Sequence, residues 1–349
     1  MDVNKHMTPV FIVYVDGKRL DVEHEGALRR ITVSDCLNGI SSFSLIFETG
    51  DVKIWEKGIM SLESEVSIHL GYKDDVDEVF YGEITGVRGI FTANATEELE
   101  VIGHNVLHRL NHVQHCRSYE EKTASKVIKG ILDGYGLKAE VDDFGADHAF
   151  QSEENRSDLE YIMELAEAYG KQVYASGSTV YVKSEITIRN DEVIYEWGKS
   201  LINLKAIQDI THVASENSNI GWDELKGEPF TGKAVMKDLP VKIEGSKDWT
   251  DVSKVGSGLF SGTKMDLSLK DTDDAKKIAL GKLQTNSYSF GFAEGKGEGN
   301  YKLRPGVRVT VKMVGEAFEG EYMANAVTHV FDRRSGYTTE FTLKRNMCT

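Results

Sequence analysis

"GVRVTVKMVGEAFEGEYMANAVTHVF", residues 306–331, alternates apolar and polar side chains through Val307, Val309 and Val311, turns, and alternates again toward Val327 and Phe331. A period of two predicts strands with one buried face. The pattern occurs twice. Phe80, Gly82, Glu83, Val87, Phe91 and Glu100 align with Phe318, Gly320, Glu321, Val327, Phe331 and Glu340 once two extra residues are allowed in the later copy. An alternating strand precedes each copy, Val66-Ile68-Leu70 in one and Val307-Val309-Val311 in the other. The repeat implies two versions of one β-domain. Three such chains would supply six similar units, which suits a ring with a six-fold partner on one side and a three-fold partner on the other.

Outward from the earlier copy, residues 10 to 101 read as short strands bounded by Gly, Asp or Asn. The periodicity then changes. "TASKVIKGILDGYGL" sets Val127, Ile128, Ile131 and Leu132 on one stripe, with Thr123 as N-cap and Gly136 near the stop. In "FQSEENRSDLEYIMELAEAYGKQVYASGSTVYV", residues 150–182, Ser157 and Glu160 form a capping box, Asp158 suits the helix dipole, and Gly170 takes the left-handed stop. A hairpin turning at Ser176-Gly177-Ser178 follows. The acidic cluster is therefore explained by folding alone. A further helix, "DTDDAKKIALGKLQTNS", carries its acids at the N-terminal end. The expected fold class is α+β, mainly antiparallel β, with two related β-barrel domains and an inserted mixed α/β domain. The expected bounds are 1–110, 111–200 and 201–349, the last with an insertion at about 240–302.

The chain of 349 residues has a formal net charge of -15, which argues against stable nucleic-acid binding or an anionic membrane surface. No run of sequence suits a membrane anchor or a signal segment. Cys36, Cys116 and Cys348 are odd in number and show no paired spacing, which fits assembly in the cytoplasm. His104, His108, His112 and His115 would line up imidazoles for a metal were they on one helix; a strand before them and no helical stripe after them divide them between two elements, so no metal site is expected. "GSGLFSGTK" lacks the Gly-Lys-Ser/Thr order of a phosphate loop, and "GFAEGKGEGNYKLRPG" lacks the dinucleotide order. No catalytic residue or cofactor is expected. Scattered Trp55, Trp197, Trp222 and Trp249 give little support to a carbohydrate-binding sheet.

Gln151, Asn155, Ser157, Asp158, Tyr161, Ile162, Leu165, Ala166, Glu167 and Gly170 resemble the helix-and-hairpin signature of the hub proteins of contractile tails, the phage late control D and VgrG-like proteins. Tyr161 stands where the family has Phe, and the spacing from Gln151 to Ser157 is longer. Gly103, His108, Arg109 and Leu110 are similar to a second family segment, and Pro305, Gly306, Gly320, Tyr322, His329, Gly336, Tyr337, Thr339 and Arg345 to its closing barrel. The resemblance implies a non-enzymatic homotrimer at the distal end of a phage tail or injection device, made in the bacterial cytoplasm. It would adapt the tail tube protein to a separate spike protein among other baseplate proteins. The rival expectation is a tail-associated peptidoglycan hydrolase.

Overall fold

The computed structural model describes residues 8–48, 60–73, 75–93, 95–146, 151–184, 192–243, 261–266 and 269–347. The whole stretch 244–260, with the start of the phosphate-loop candidate, lies outside them, as do Trp55, Trp249 and Cys348. The fold is α+β and mainly antiparallel. Thirteen strands form one sheet, and its first half runs in spatial order Leu28–Cys36, Ser42–Glu48, Glu98–His104, Asp75–Ile90, Glu65–Tyr72, Pro9–Val15 and the short Lys18–Arg19. The second half runs Leu201–Gln208, Gly291–Glu298, Gly336–Arg345, Gly320–Asp332, Arg308–Lys312 and Val193–Glu196.

Six strands of each half correspond in space and in chain order. Two irregularities repeat as well, whereas the slip between Ile68 and His69 has no counterpart in the second half. Register slips between Leu28 and Arg30 and between Leu201 and Asn203 break the same strand, and slips between Ile84 and Gly86 and between Ala324 and Ala326 break another. A bulge adds one residue to one strand only, so it marks position along a ladder. Aligned on these bulges, Val87 falls on Val327, Glu100 on Glu340 and, one residue beyond the strand, Phe91 on Phe331. Phe80 and Gly82 are shifted by two: Gly82 lies mid-strand opposite Val66, whereas Gly320 opens its strand opposite Val311, and Phe318 precedes it. Two strands depart from the repeat: Lys18–Arg19 has no counterpart among the described residues, and Pro9–Val15 is antiparallel to its neighbour where Val193–Glu196 is parallel.

The halves join where Leu28–Cys36 pairs antiparallel with the later part of Gly320–Asp332, Arg30 opposite Asp332 through Cys36 opposite Ala326. Among the described residues no ring of pairing closes, so the two expected barrels are two curled halves of one continuous sheet. Each half keeps its own core, one around Ile31, Leu45, Ile68 and Phe80, the other around Tyr195, Val309, Tyr322 and Phe341. The excursion inside the second half runs from 209 to 290, N-terminal to the expected bounds. It holds the small sheet Glu216–Asp223, Glu228–Val235 and Ser261–Met265 beneath helix Thr272–Ser287.

Between the halves lies the mixed region. Helix Ala124–Gly134 is capped by Thr123, and helix Asp158–Ala168 starts on the Ser157/Glu160 capping box. Gly170 stops the second helix at φ +66, and there a Cβ would stand 2.9 Å from Gly281 Cα of the excursion helix. The two helices cross on these glycines. Strand Gln151–Ser157 pairs with Gln114–Tyr119, and a bulge at Asn155, φ +51, takes up extra length between Gln151 and Ser157.

Candidate functional site

The solvent face of the sheet has a continuous polar row. Residues directly opposite across a ladder share a face, and successive pairs run from Asn203 to Lys296, Glu340, Thr328, Ser34, Ser42 and His104. The row crosses both halves and the seam between them. Its charges are matched: Lys296 Nζ lies 3.0 Å from Glu340 Oε1, and farther along the strand of His104, Glu100 accepts from Ser44 at 2.7 Å and from Arg88 at 2.8 Å. At the seam Ser34 Oγ and Thr328 Oγ1 are 3.3 Å apart. Such a wall presents hydroxyls and neutralised pairs to whatever passes it.

The row ends at the histidines. His104 closes a strand, His108 lies in the 3-10 turn Val106–Asn111, His112 caps it, and His115 belongs to the next strand. The rings of His104, His108 and His112 nevertheless form a column, with centroids 6.2 and 5.3 Å apart. Glu83 binds Arg109 through both oxygens and stands 3.8 Å from His108 Nε2. Among the described residues no three His, Cys, Asp or Glu side chains converge to hold a metal ion. Burial, with the neighbouring His108, lowers the His104 pKa.

A paired-carboxylate cluster exists where the chain reads only as a helix cap. Asp158 and Glu153 have fully buried side chains beside one guanidinium, Arg117, whose Nη1 is 2.7 Å from Asp158 and 3.9 Å from Glu153. Tyr135 donates to Asp158 at 2.6 Å, Tyr119 donates to Glu153 at 3.1 Å, and His115 Nε2 is 3.4 Å from Asp158. Burial, then the Asp158 charge, raises the Glu153 pKa. Raised carboxylates mark acid catalysts when a substrate can reach them. Here both are sealed from solvent, so the cluster fastens strand to helix.

A second buried charge ties all three regions together. Arg304, just before Pro305-Gly306, donates to Asp35 Oδ2 at 3.1 and 3.0 Å and to Tyr174 at 2.9 Å, while Ser41 donates to Asp35 Oδ1 at 2.6 Å. Asp35 comes from the first half, Tyr174 from the mixed region and Arg304 from the second half. Close by, burial and the Arg304 charge push His329 down to about 3.

The family model of the Alg8 N-terminal domain matches residues 5–332. The chain belongs to that family. No curated protein matches the sequence. The chain is similar in structure to a 43 kDa tail protein of prophage MuSo2 from Shewanella oneidensis, at TM-score 0.67 and 11% identity over 97% of this chain and 99% of that one. A tail protein from Neisseria meningitidis gives TM-score 0.67 at 13% identity, covering 97% of each chain. An E. coli component of the type VI secretion system, described as structurally similar to the T4 tail proteins gp27 and gp5, gives 0.58 at 11% over 95% of this chain and 76% of that one. The fold of the chain is thus that of phage tail and VgrG-like proteins.

The residues of the resemblance have local roles in it. Tyr161 stacks on Tyr119 at 5.9 Å, Ala166 is buried and Leu165 half-buried against the mixed core, and Gly306 donates its N–H to Ala324. The polar row, the Glu153 cluster and the Arg304 pin are absent from the sequence reading. Ser and Thr at every second position of "ITVSD" and "SSFS" were the available signal for the row.

Proposed function

We propose that the chain is a structural hub protein at the distal end of a contractile phage tail or phage-derived injection system, acting as a homotrimer that fits the six-fold tube to a three-fold spike. The observation that carries this reading is the duplicated half-sheet: three chains present six equivalent ladders. The fold shared with prophage tail proteins and a type VI secretion component supports it. In this reading residues 1–110 and 201–349 are the two tube-like units, each completed as a barrel wall by its neighbours, and 111–200 is the mixed domain beside them. The tube protein, a separate spike and other baseplate proteins are its partners, and the polar row lines the passage.

The rival reading, a peptidoglycan hydrolase, would have to work through carboxylates such as Glu153 and Asp158, which no substrate reaches in the folded chain. Mass in solution tests the hub: a trimer is expected, and a strict monomer both alone and mixed with the tube protein would overturn it. Zymography on cell walls tests the rival, for which a lytic band lost on mutating one Glu is required.

A further inference from the structure

The strand pairing that joins the two halves inside one chain has an unused counterpart. In the seam, Leu28–Cys36 pairs with the later part of Gly320–Asp332. The repeat places Leu201–Gln208 where Leu28–Cys36 stands, and Asp75–Ile90 where Gly320–Asp332 stands. Among the described residues, Leu204–Gln208 pairs on one side only, Leu201 alone making a bridge to Trp197, and beyond Ile84, whose backbone meets Ser64 and Glu63, the strand Asp75–Ile90 pairs only with Glu98–His104. Two edges are thus left without a partner among the described residues, on opposite halves, each the equivalent of an edge that is paired at the seam.

We propose that Leu204–Gln208 of one copy pairs antiparallel with residues 87–91 of the next, repeating the internal seam between chains. This deepens the hub reading and rests on it for closure at three copies. The bulges fix the register. Ile31 opposite Phe331 becomes Leu204 opposite Phe91, Thr32 opposite Val330 becomes Lys205 opposite Ile90, and Ser34 opposite Thr328 becomes Ile207 opposite Arg88.

Burial agrees with this register. Phe331 is 6% exposed and packs edge-on against Phe11, whereas its equivalent Phe91 is 68% exposed. Beside the free edge lies a trough of about 520 Å³ whose lining includes Trp197, Leu204, Ala206, Met313 and Phe318. It offers Phe91 of the next copy the apolar surroundings that Phe331 has. Ile207, 53% exposed, would be covered by the Arg88 stem. A bare strand edge with apolar neighbours is a template for another chain, and a head-to-tail contact between unlike edges closes into a ring when its rotation allows.

Disulfide trapping tests the register, because residues directly opposite across an antiparallel ladder place Cβ atoms at about 4.5–5.5 Å, near disulfide reach. Full-length chain carrying Ile207→Cys and Arg88→Cys is expected to give a peptide-mapped cross-link between copies on mild oxidation. The off-register pair Ile207→Cys with Ile90→Cys is expected to give at least tenfold less. Phe91→Asp is expected to lose the oligomer while keeping the circular dichroism spectrum of the folded wild-type chain. A trimer by mass that never forms the Ile207–Arg88 cross-link, or that survives Phe91→Asp, overturns this seam and leaves the hub reading standing; a monomer under all conditions overturns both.

Discussion

The two halves of the sheet share strand order, chain order and bulges, yet the same position is buried in one and bare in the other. Leu28–Cys36 has a neighbouring strand on each side, while its counterpart Leu201–Gln208 has one among the described residues. Duplication has kept the ladder, which is set by backbone pairing, and left the edges and connections to differ with their surroundings. The excursion 209–290 enters the second half directly after its bare strand, without disturbing a single paired position of the rest.

The largest expected effect separates the equivalent phenylalanines. Phe331→Ala should cost about 3–5 kcal/mol of stability in urea unfolding, while Phe91→Ala should stay within about 0.5 kcal/mol in the unassembled chain; equal losses would break the equivalence. Next, Arg304→Met should cost about 3 kcal/mol by leaving Asp35 buried without its cation. Adding Asp35→Asn should recover part of that loss, and a double-mutant cycle on the same unfolding curves reads the coupling.

Two pH responses of opposite sign sharpen the contrast between seam and mixed region. His329 is held neutral down to about 3, so the unfolded chain takes up its proton first as pH falls. Its contribution is complete above the ordinary His range and is lost as pH drops from about 6.5 toward 3, approaching tenfold in the folding constant per pH unit. His329→Gln should flatten that acid limb. Glu153 is raised, so the folded chain keeps its proton longer and stability falls as pH climbs above the ordinary Glu range. Glu153→Gln should gain on wild type with rising pH across that window. The smallest loss expected at a buried site is that of Ser157→Ala, about 1 kcal/mol, from the lost helix cap.

What the sequence made legible was local. Thr123, the Ser157/Glu160 box and Gly170 act within a few residues, and alternation placed most strands of both halves. The Arg304 pin joins positions 269 and 130 residues apart, with no periodic signal to announce it. Glu153 stayed hidden because its strand, "QSEENRS", is polar at every position, so nothing in the pattern marks the one side chain that turns inward. The Phe80/Phe318 match fell two places off the ladder because residue identity aligned more readily than strand ends. The bulges, invisible in sequence, supplied the true register.

The seam between Leu28–Cys36 and Gly320–Asp332 also settles how the chain responds to load. Seven consecutive residue pairs cross it, so twisting one half against the other means breaking a ladder of backbone hydrogen bonds, not bending a linker. Among the described residues, the junction of the two halves is a ladder and not a hinge. A torque applied at one end of the sheet arrives at the other, and the subunit behaves as a stiff lever.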